Sequence, residues 1–108
     1  MATYSLLGSQ ALTVDATAGG VSLTFPSGVV YYAEMQLMDA NEGFALDAPI
    51  RFTTDSSITV TAAGAEASKR LEVGGVLEIW GRGELANFRA IRVGSNSAHL
   101  KIDYFGTV

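Results

Sequence analysis

LEVGGVLEIWGRGELANFRAIRVGSNSAHLKIDYF, residues 71–105, contains the clearest pattern for a fold class in the chain. Apolar side chains recur in it at every second position, the spacing that turns one side of a β-strand toward a core. Glycine-rich segments at residues 74–75, 81–83 and 94–97 separate these patterns and predict chain reversals. The alternating residues are Leu71 and Val73, Leu77 and Ile79, and Ala98, Leu100, Ile102 and Tyr104. The stretch therefore predicts a series of short strands.

The rest of the chain continues this pattern. Alternating segments at residues 11–14, 21–25, 29–38, 50–54 and 58–61 predict further strands, and Pro-Ser-Gly at residues 26–28 predicts a turn. Residues 85–88 predict a single helical turn. In residues 29–38, strict alternation places Tyr31, Ala33, Met35 and Leu37 on one face. We therefore expect an all-β protein, an antiparallel β-sandwich or jelly-roll-like fold of about 8–10 short strands with at most one short helical turn.

Length and composition predict a single domain. A chain of 108 residues with 48% hydrophobic residues and two prolines can bury one core. We assign the β-sandwich domain to residues 11–108, and residues 1–10 are either a strand or an arm that orders only against a neighbour. The absence of cysteine excludes disulfides and thiolate metal sites and favours maturation inside a cell. No signal peptide and no apolar run of about 20 residues is present, so we expect no membrane association.

Charge is distributed unevenly along the chain. The net charge is −4, yet residues 1–50 contain five acidic and no basic residues, whereas residues 51–108 contain all seven basic residues and six acidic ones. An acidic chain repels phosphate, so nucleic acid is not an expected partner. The asymmetry is typical of an ordinary solvated surface, and it also fits an acidic face that docks on a basic partner.

No residue pattern predicts catalysis or a cofactor. The single histidine, His99, lies four strand residues from Asp103, about 13 Å at 3.3 Å per residue, which is too far for a catalytic pair. One histidine without cysteine cannot form a histidine-rich metal site. Residues 39–50 resemble a calcium loop only superficially, because the glycine falls at the fifth place rather than the sixth. We therefore expect no enzyme activity, no cofactor and no metal.

Three regions are candidates for contact with other molecules. Trp80 alternates with Leu77 and Ile79, so burial of those two residues leaves it partly exposed to another subunit or partner. Trp80 could also form an aromatic platform with Tyr31, Tyr32 and Phe105. The N-terminal arm and the acidic loop at residues 39–47 are the other two regions. Their interface candidates are Tyr4, Leu6 and Leu7 in the arm, and Asp39, Glu42, Phe44 and Asp47 in the loop.

Four segments together resemble small virion proteins of tailed bacteriophages. They are IRFTTD at residues 50–55, LEVGGVLEI at 71–79, LANFRAIR at 85–92 and AHLKIDYF at 98–105. The resemblance covers about half of the chain. It implies a β-sandwich without catalytic activity, made in the cytoplasm of the bacterial host and located on the capsid surface of the virion.

The resemblance favours one function and leaves two others open. It implies a capsid decoration or cement protein, a homo-oligomer with a trimer favoured, which binds the major capsid protein and stabilises the head. The first alternative is a carbohydrate-binding β-sandwich module that stacks Trp80 and tyrosines on sugars. The second is a tail, neck or fibre component of the same virion.

Overall fold

The computed structural model describes residues 4–38, 48–64 and 68–108. These residues form seven strands and one short helix. In chain order the elements are β1 (Ser5–Val14), β2 (Val29–Leu37), β3 (Ile50–Thr53), β4 (Lys69–Leu71), β5 (Val76–Trp80), α1 (Arg82–Asn87), β6 (Arg89–Arg92) and β7 (Ala98–Thr107).

The strands form two antiparallel sheets that pack together as a β-sandwich. The four-stranded sheet has the order β1-β7-β2-β5, and the three-stranded sheet has the order β4-β3-β6. This confirms the predicted all-β fold class with one short helix. The helix spans Arg82–Asn87 and so begins three residues before the predicted turn at residues 85–88. The described residues hold seven strands rather than eight to ten. Residues 21–25 make only one isolated bridge, from Val21 to Ala90, and residues 58–61 pair with no strand.

The core lies between the two sheets and is built from alternate residues of each strand. The inward positions of β7 are all buried, as the alternation from Ala98 to Tyr104 predicts. The helix contributes the buried Leu85, and Phe88 follows directly after it. Residues with at most 1% exposure in the core cluster are Val14, Val30, Ala33, Met35, Leu37, Ile50, Leu85, Phe88, Ala90, Leu100, Ile102 and Tyr104.

The N-terminal residues are part of the four-stranded sheet. Ser5 pairs with Gly106 and Val14 pairs with Ala98, so β1 runs antiparallel to β7 along its whole length. The interpretation of residues 1–10 as an unpaired arm therefore does not describe residues 5–10. The physical reason is that Leu12 and Val14, at the end of β1, turn toward the core and so fix the register of the whole strand, including residues 5–10.

Both neighbours of β7 carry a β-bulge beside the same position. The register shifts between Leu6 and Gly8 on β1 and between Val30 and Tyr32 on β2. Each strand gains one residue there, so strict alternation fails locally. Tyr31, which alternation places beside Ala33 on the core face, is instead exposed. A bulge in β2 is not visible in the β2 sequence, and the prediction for Tyr31 is wrong for that reason.

Residues 58–64 cover the outer face of the three-stranded sheet. Arg51 points away from the core by strand alternation, and its Nε donates a hydrogen bond to the Ala62 carbonyl at 3.3 Å. Val60 and Ile91 are buried although they lie outside the main core cluster, and Ile91 is the cross-strand partner of Arg51. This segment therefore covers the outer face of the three-stranded sheet, and Val60 within it is buried, as is Ile91 of β6.

Candidate functional site

The outer face of the four-stranded sheet, here called the open face, presents a row of apolar side chains that crosses all four strands. The register pairs Trp80 of β5 with Tyr32 of β2, Tyr32 with Phe105 of β7, and Phe105 with Leu6 of β1. Residues that pair directly across antiparallel strands share a face of the sheet. We call Leu6, Tyr32, Trp80 and Phe105 the aromatic row.

The three rings of the aromatic row are stacked on one another. The centroids of Trp80 and Tyr32 are 4.1 Å apart with an interplanar angle of 18°, and those of Tyr32 and Phe105 are 4.8 Å apart at 9°. Stacked pairs of this kind are worth about 0.5–1.5 kcal/mol each beyond their buried area. Because the faces of the rings lie against each other, the row presents mainly ring edges to the solvent.

Two further tyrosines extend this apolar surface. Tyr4 precedes β1 and reaches across β7, so that its centroid lies 4.9 Å from that of Tyr31. It also contacts Tyr32 and Trp80 edge to face, with centroid distances of 5.9 and 6.2 Å. The β2 bulge is what turns Tyr31 outward to meet Tyr4. The result is a cluster of five aromatic rings on one surface.

A row of carboxylates runs parallel to the aromatic row, one step further along the strands. Glu78 of β5 pairs with Glu34 of β2, and Glu34 pairs with Asp103 of β7. We call these three residues the carboxylate row. It continues onto β1, where the Ser9 hydroxyl donates a hydrogen bond to Asp103 Oδ1 at 2.6 Å.

The two rows interact directly. The Trp80 indole Nε1 donates a hydrogen bond to Glu78 Oε1, which fixes the indole orientation. The pKa of the Tyr32 hydroxyl is raised, first by partial burial among the rings and then by the negative charges of Glu34 and Glu78. The tyrosine therefore stays neutral beside the carboxylates at neutral pH. Chemically, the open face offers apolar ring edges beside acceptor oxygens that carry negative charge.

Several of the large apolar side chains that are exposed among the described residues lie on the open face. Trp80 is 52% exposed, Leu6 57% and Val76, which follows the carboxylate row on β5, 69%. Isolated exposed apolar residues are normal, whereas contiguous ones mark interaction sites or aggregation liabilities. Leu6, Phe105, Tyr32 and Trp80 are contiguous across the sheet, so this surface is a candidate binding site.

The predicted interface residues fall into three groups. The structure brings Tyr4, Leu6 and Trp80 together on the open face, and it confirms that Trp80 is exposed opposite a buried Ile79. Leu7 is not part of this face. It is the extra residue of the β1 bulge and packs against the core. Asp39, Glu42, Phe44 and Asp47 lie outside the described residues.

Sequence reasoning missed the carboxylate row, although a signal for it exists. Each of three strands has an acidic residue two positions from an aromatic one. The three pairs are Tyr32 and Glu34 in β2, Glu78 and Trp80 in β5, and Asp103 and Phe105 in β7. The order is reversed in β2, as antiparallel pairing of this strand with both neighbours requires. Once the three strands are placed antiparallel side by side, this spacing aligns both rows.

The described part of the chain shows no arrangement typical of a metal centre or a membrane span. Residues 4–38, 48–64 and 68–108 contain no group of three or more His, Asp or Glu side chains able to hold a metal ion. Within the same ranges, no helix has the length and apolar character of a transmembrane segment.

Comparisons with known proteins give no match. A scan against protein-family models finds no family for the chain, and searches among curated proteins and among solved structures find no similar protein.

Proposed function

We propose that the protein is a structural component of a bacteriophage virion, of the capsid decoration or cement type, and that it acts without catalysis. In this proposal the open face binds the major capsid protein on the head surface. The observation that carries the proposal is the contiguous aromatic row, exposed across four strands of a domain that covers its other outer face with residues 58–64.

The composition of the open face favours a protein partner. Tyrosine, tryptophan and phenylalanine are enriched in protein interfaces, and residues such as Trp80 supply most of the binding energy there. The carboxylate row beside the rings complements a partner surface with lysine or arginine around an apolar centre. The partner surface is therefore expected to be apolar at its centre and basic at one side.

The orientation of the rings limits the carbohydrate-binding alternative to one ring. A sugar stacks on the flat face of an aromatic ring, and both faces of Tyr32 are occupied, by Trp80 at 4.1 Å and by Phe105 at 4.8 Å, so the outer face of Trp80 on the edge strand β5 is the remaining platform. Tyr4 covers part of the edge of this stack. A protein side chain can pack against ring edges, so the same geometry suits a protein contact.

The test uses Trp80, the only tryptophan of the chain, as an internal probe. The protein is mixed with empty heads assembled from the major capsid protein of the phage that encodes the chain, and bound protein is measured by co-sedimentation. We expect binding to protect Trp80 from acrylamide quenching and to shift its emission to shorter wavelength. Loss of a central interface residue typically weakens binding about 30-fold or more, so we expect this loss for Trp80→Ala.

The control is Thr59→Ala, an exposed change in residues 58–64, the segment that covers the other sheet. It should bind heads like the wild type. Binding to heads that is unaffected by Trp80→Ala would refute the open face as the contact. Failure to bind heads together with binding to phage tails would favour the tail, neck or fibre alternative, and saturable quenching protection by an oligosaccharide series would favour the glycan alternative.

A further inference from the structure

The edge strands of the two sheets differ in how well they are protected against pairing with another chain. β4 is three residues long and carries Lys69 and Arg70. β6 is four residues long, and Val21 bridges to it through two backbone hydrogen bonds with Ala90, of 2.7 and 3.1 Å. β5 is five residues long and has Glu78 at its centre. Short length, charge and cover are the usual means of blocking an edge.

β1 lacks the protections of short length and charge. Residues 24–26 contact it, since Pro26 lies against Gly8 and the Thr24 N–H donates a hydrogen bond to the Gln10 side chain at 3.1 Å, but these contacts leave the backbone groups of the β1 edge unpaired with that segment. It is ten residues long, it is an edge of the four-stranded sheet, and its sequence SLLGSQALTV contains no charged residue and no proline. Its single irregularity is the bulge near its start, which leaves Gly8 to Val14 in regular register with β7. A long, uncharged and regular edge offers unpaired backbone groups to a further strand.

We propose that β1 is a self-association edge, at which two copies of the chain pair their β1 strands antiparallel about a two-fold axis. The two four-stranded sheets then form one sheet of eight strands. If the axis passes beside Ala11, then Ala11 faces its own counterpart, and Ser9 of each copy faces Thr13 of the other. Small residues meet at the centre, and hydroxyl pairs flank them, which is a favourable cross-strand arrangement.

A second copy is the occupant that the charge pattern favours. An isologous contact places each residue opposite a residue of the same strand, so a charged strand meets like charges across the axis. β1 is the one edge among the described strands for which self-pairing opposes no charges. Pairing of β1 with the β5 edge of another copy is less favourable, because β5 covers only half of the length of β1.

Pairing of two β1 strands would place the open faces of both copies on the same side of the joined sheet, whatever the function of the open face. A two-fold axis perpendicular to the joined sheet keeps both outer faces on the same side. Both aromatic rows then point in one direction. A dimer binds a repeating surface at two points, and its avidity exceeds the affinity of a single copy.

The experiment uses opposite charges at Ala11, which is exposed on the outer side of β1. Sedimentation equilibrium should give the wild type a mass of about twice the 11.3 kDa chain. Ala11→Lys and Ala11→Glu each place like charges across the axis, so each variant alone should dissociate with a dimer Kd raised about tenfold or more. An equimolar mixture of the two variants should recover the dimer, which also shows that both are folded.

The matched control is Gln36→Lys, which adds the same charge in the same cross-strand row but on the interior strand β2. It should remain dimeric, because it does not lie at the edge. Dissociation by Gln36→Lys would place self-association on the open face and overturn the proposal. A monomeric wild type, a mass of three chains, or variants at Ala11 that keep the wild-type mass would also overturn it. Binding of heads is measured separately, so its failure leaves this result unaffected.

Discussion

The two outer faces of the sandwich differ in how much of their apolar surface other residues of the chain cover. The outer face of the three-stranded sheet lies beneath residues 58–64, where Val60 and Ile91 are buried and Arg51 is held by a backbone carbonyl. The outer face of the four-stranded sheet has no such cover among the described residues and exposes Trp80 and Leu6. Both faces carry apolar side chains, but only one is shielded by the chain itself.

This difference indicates which surface is the candidate for contact with another molecule. An apolar sheet face without cover lowers solubility, and the chain contains a segment that solves this problem on one side. On the other side, the apolar residues are instead aligned in one row and bordered by carboxylates. We therefore interpret the uncovered face as a surface that another protein covers. Two pairs of matched variants and one pH titration test whether the two faces differ in this way.

The largest effect is expected from one substitution made on both faces. Val60→Asp places a carboxylate at a buried position of residues 58–64 and should lower the free energy of unfolding by more than about 3 kcal/mol. Val76→Asp places the same group on the open face, where valine is 69% exposed, and should cost less than about 1 kcal/mol. Urea unfolding followed by circular dichroism measures both values. Equal losses would show that the two faces are not covered differently.

A smaller loss of stability is expected from a larger side chain at Gly106 of β7, the strand that carries Phe105 of the aromatic row. A Cβ at Gly106 would lie 1.8 Å from the Val29 carbonyl oxygen, so Gly106→Ala must push β7 away from β2. We expect a loss of about 2 kcal/mol in the free energy of unfolding, and increased quenching of Trp80 as the row loosens. Gly94→Ala is the control, because a Cβ there meets no atom within 4 Å. If the two variants are equally stable, the close approach of β7 and β2 at Gly106 does not contribute to the stability of the fold.

The smallest effect is expected in the pH dependence of the unfolding free energy. It is tested with one tyrosine on the inner side and one on the outer side of the four-stranded sheet. Burial raises the pKa of Tyr104 to about 12, and its hydroxyl donates a hydrogen bond to Gln10 at 2.6 Å. The unfolded chain releases this proton near pH 10, whereas the folded chain keeps it to about pH 12. Stability from this group is therefore complete below pH 10 and is lost as the pH rises toward 12.

Tyr104→Phe should flatten the alkaline part of a plot of unfolding free energy against pH, and it should remove the last phenol to ionise in an ultraviolet titration. Tyr32→Phe is the comparison on the open face, where the pKa is raised but the ring is more accessible. It should change the alkaline slope less than Tyr104→Phe does. An unchanged slope in Tyr104→Phe would show that the buried hydroxyl does not control alkaline unfolding.

The sequence predicts the fold class well because alternation and turn residues are local signals. The strands from Leu77 to Ile79 and from Ala98 to Tyr104 alternate as the structure does. Residues 21–25 also alternate, yet they pack against the core without joining a sheet. Alternation reports which side chains face inward, and it does not report whether the backbone finds a partner strand.

The candidate site could be predicted only in part. The exposure of Trp80 follows from its own strand, but the outward turn of Tyr31 depends on a bulge opposite Gly106, which is 75 residues away in the chain. The stacking of Trp80, Tyr32 and Phe105 likewise depends on register between three strands. Register is fixed by packing of the whole sheet, so a single strand pattern cannot supply it.

The position of β7 has a consequence for how the protein is made. This strand lies between β1 and β2 and is the last of the seven in the chain. Neither β1 nor β2 can gain its main partner until residues 98–107 have left the ribosome. Contacts between such distant segments slow folding. The four-stranded sheet should therefore form only after residues 98–107 have emerged, late in the synthesis of this domain.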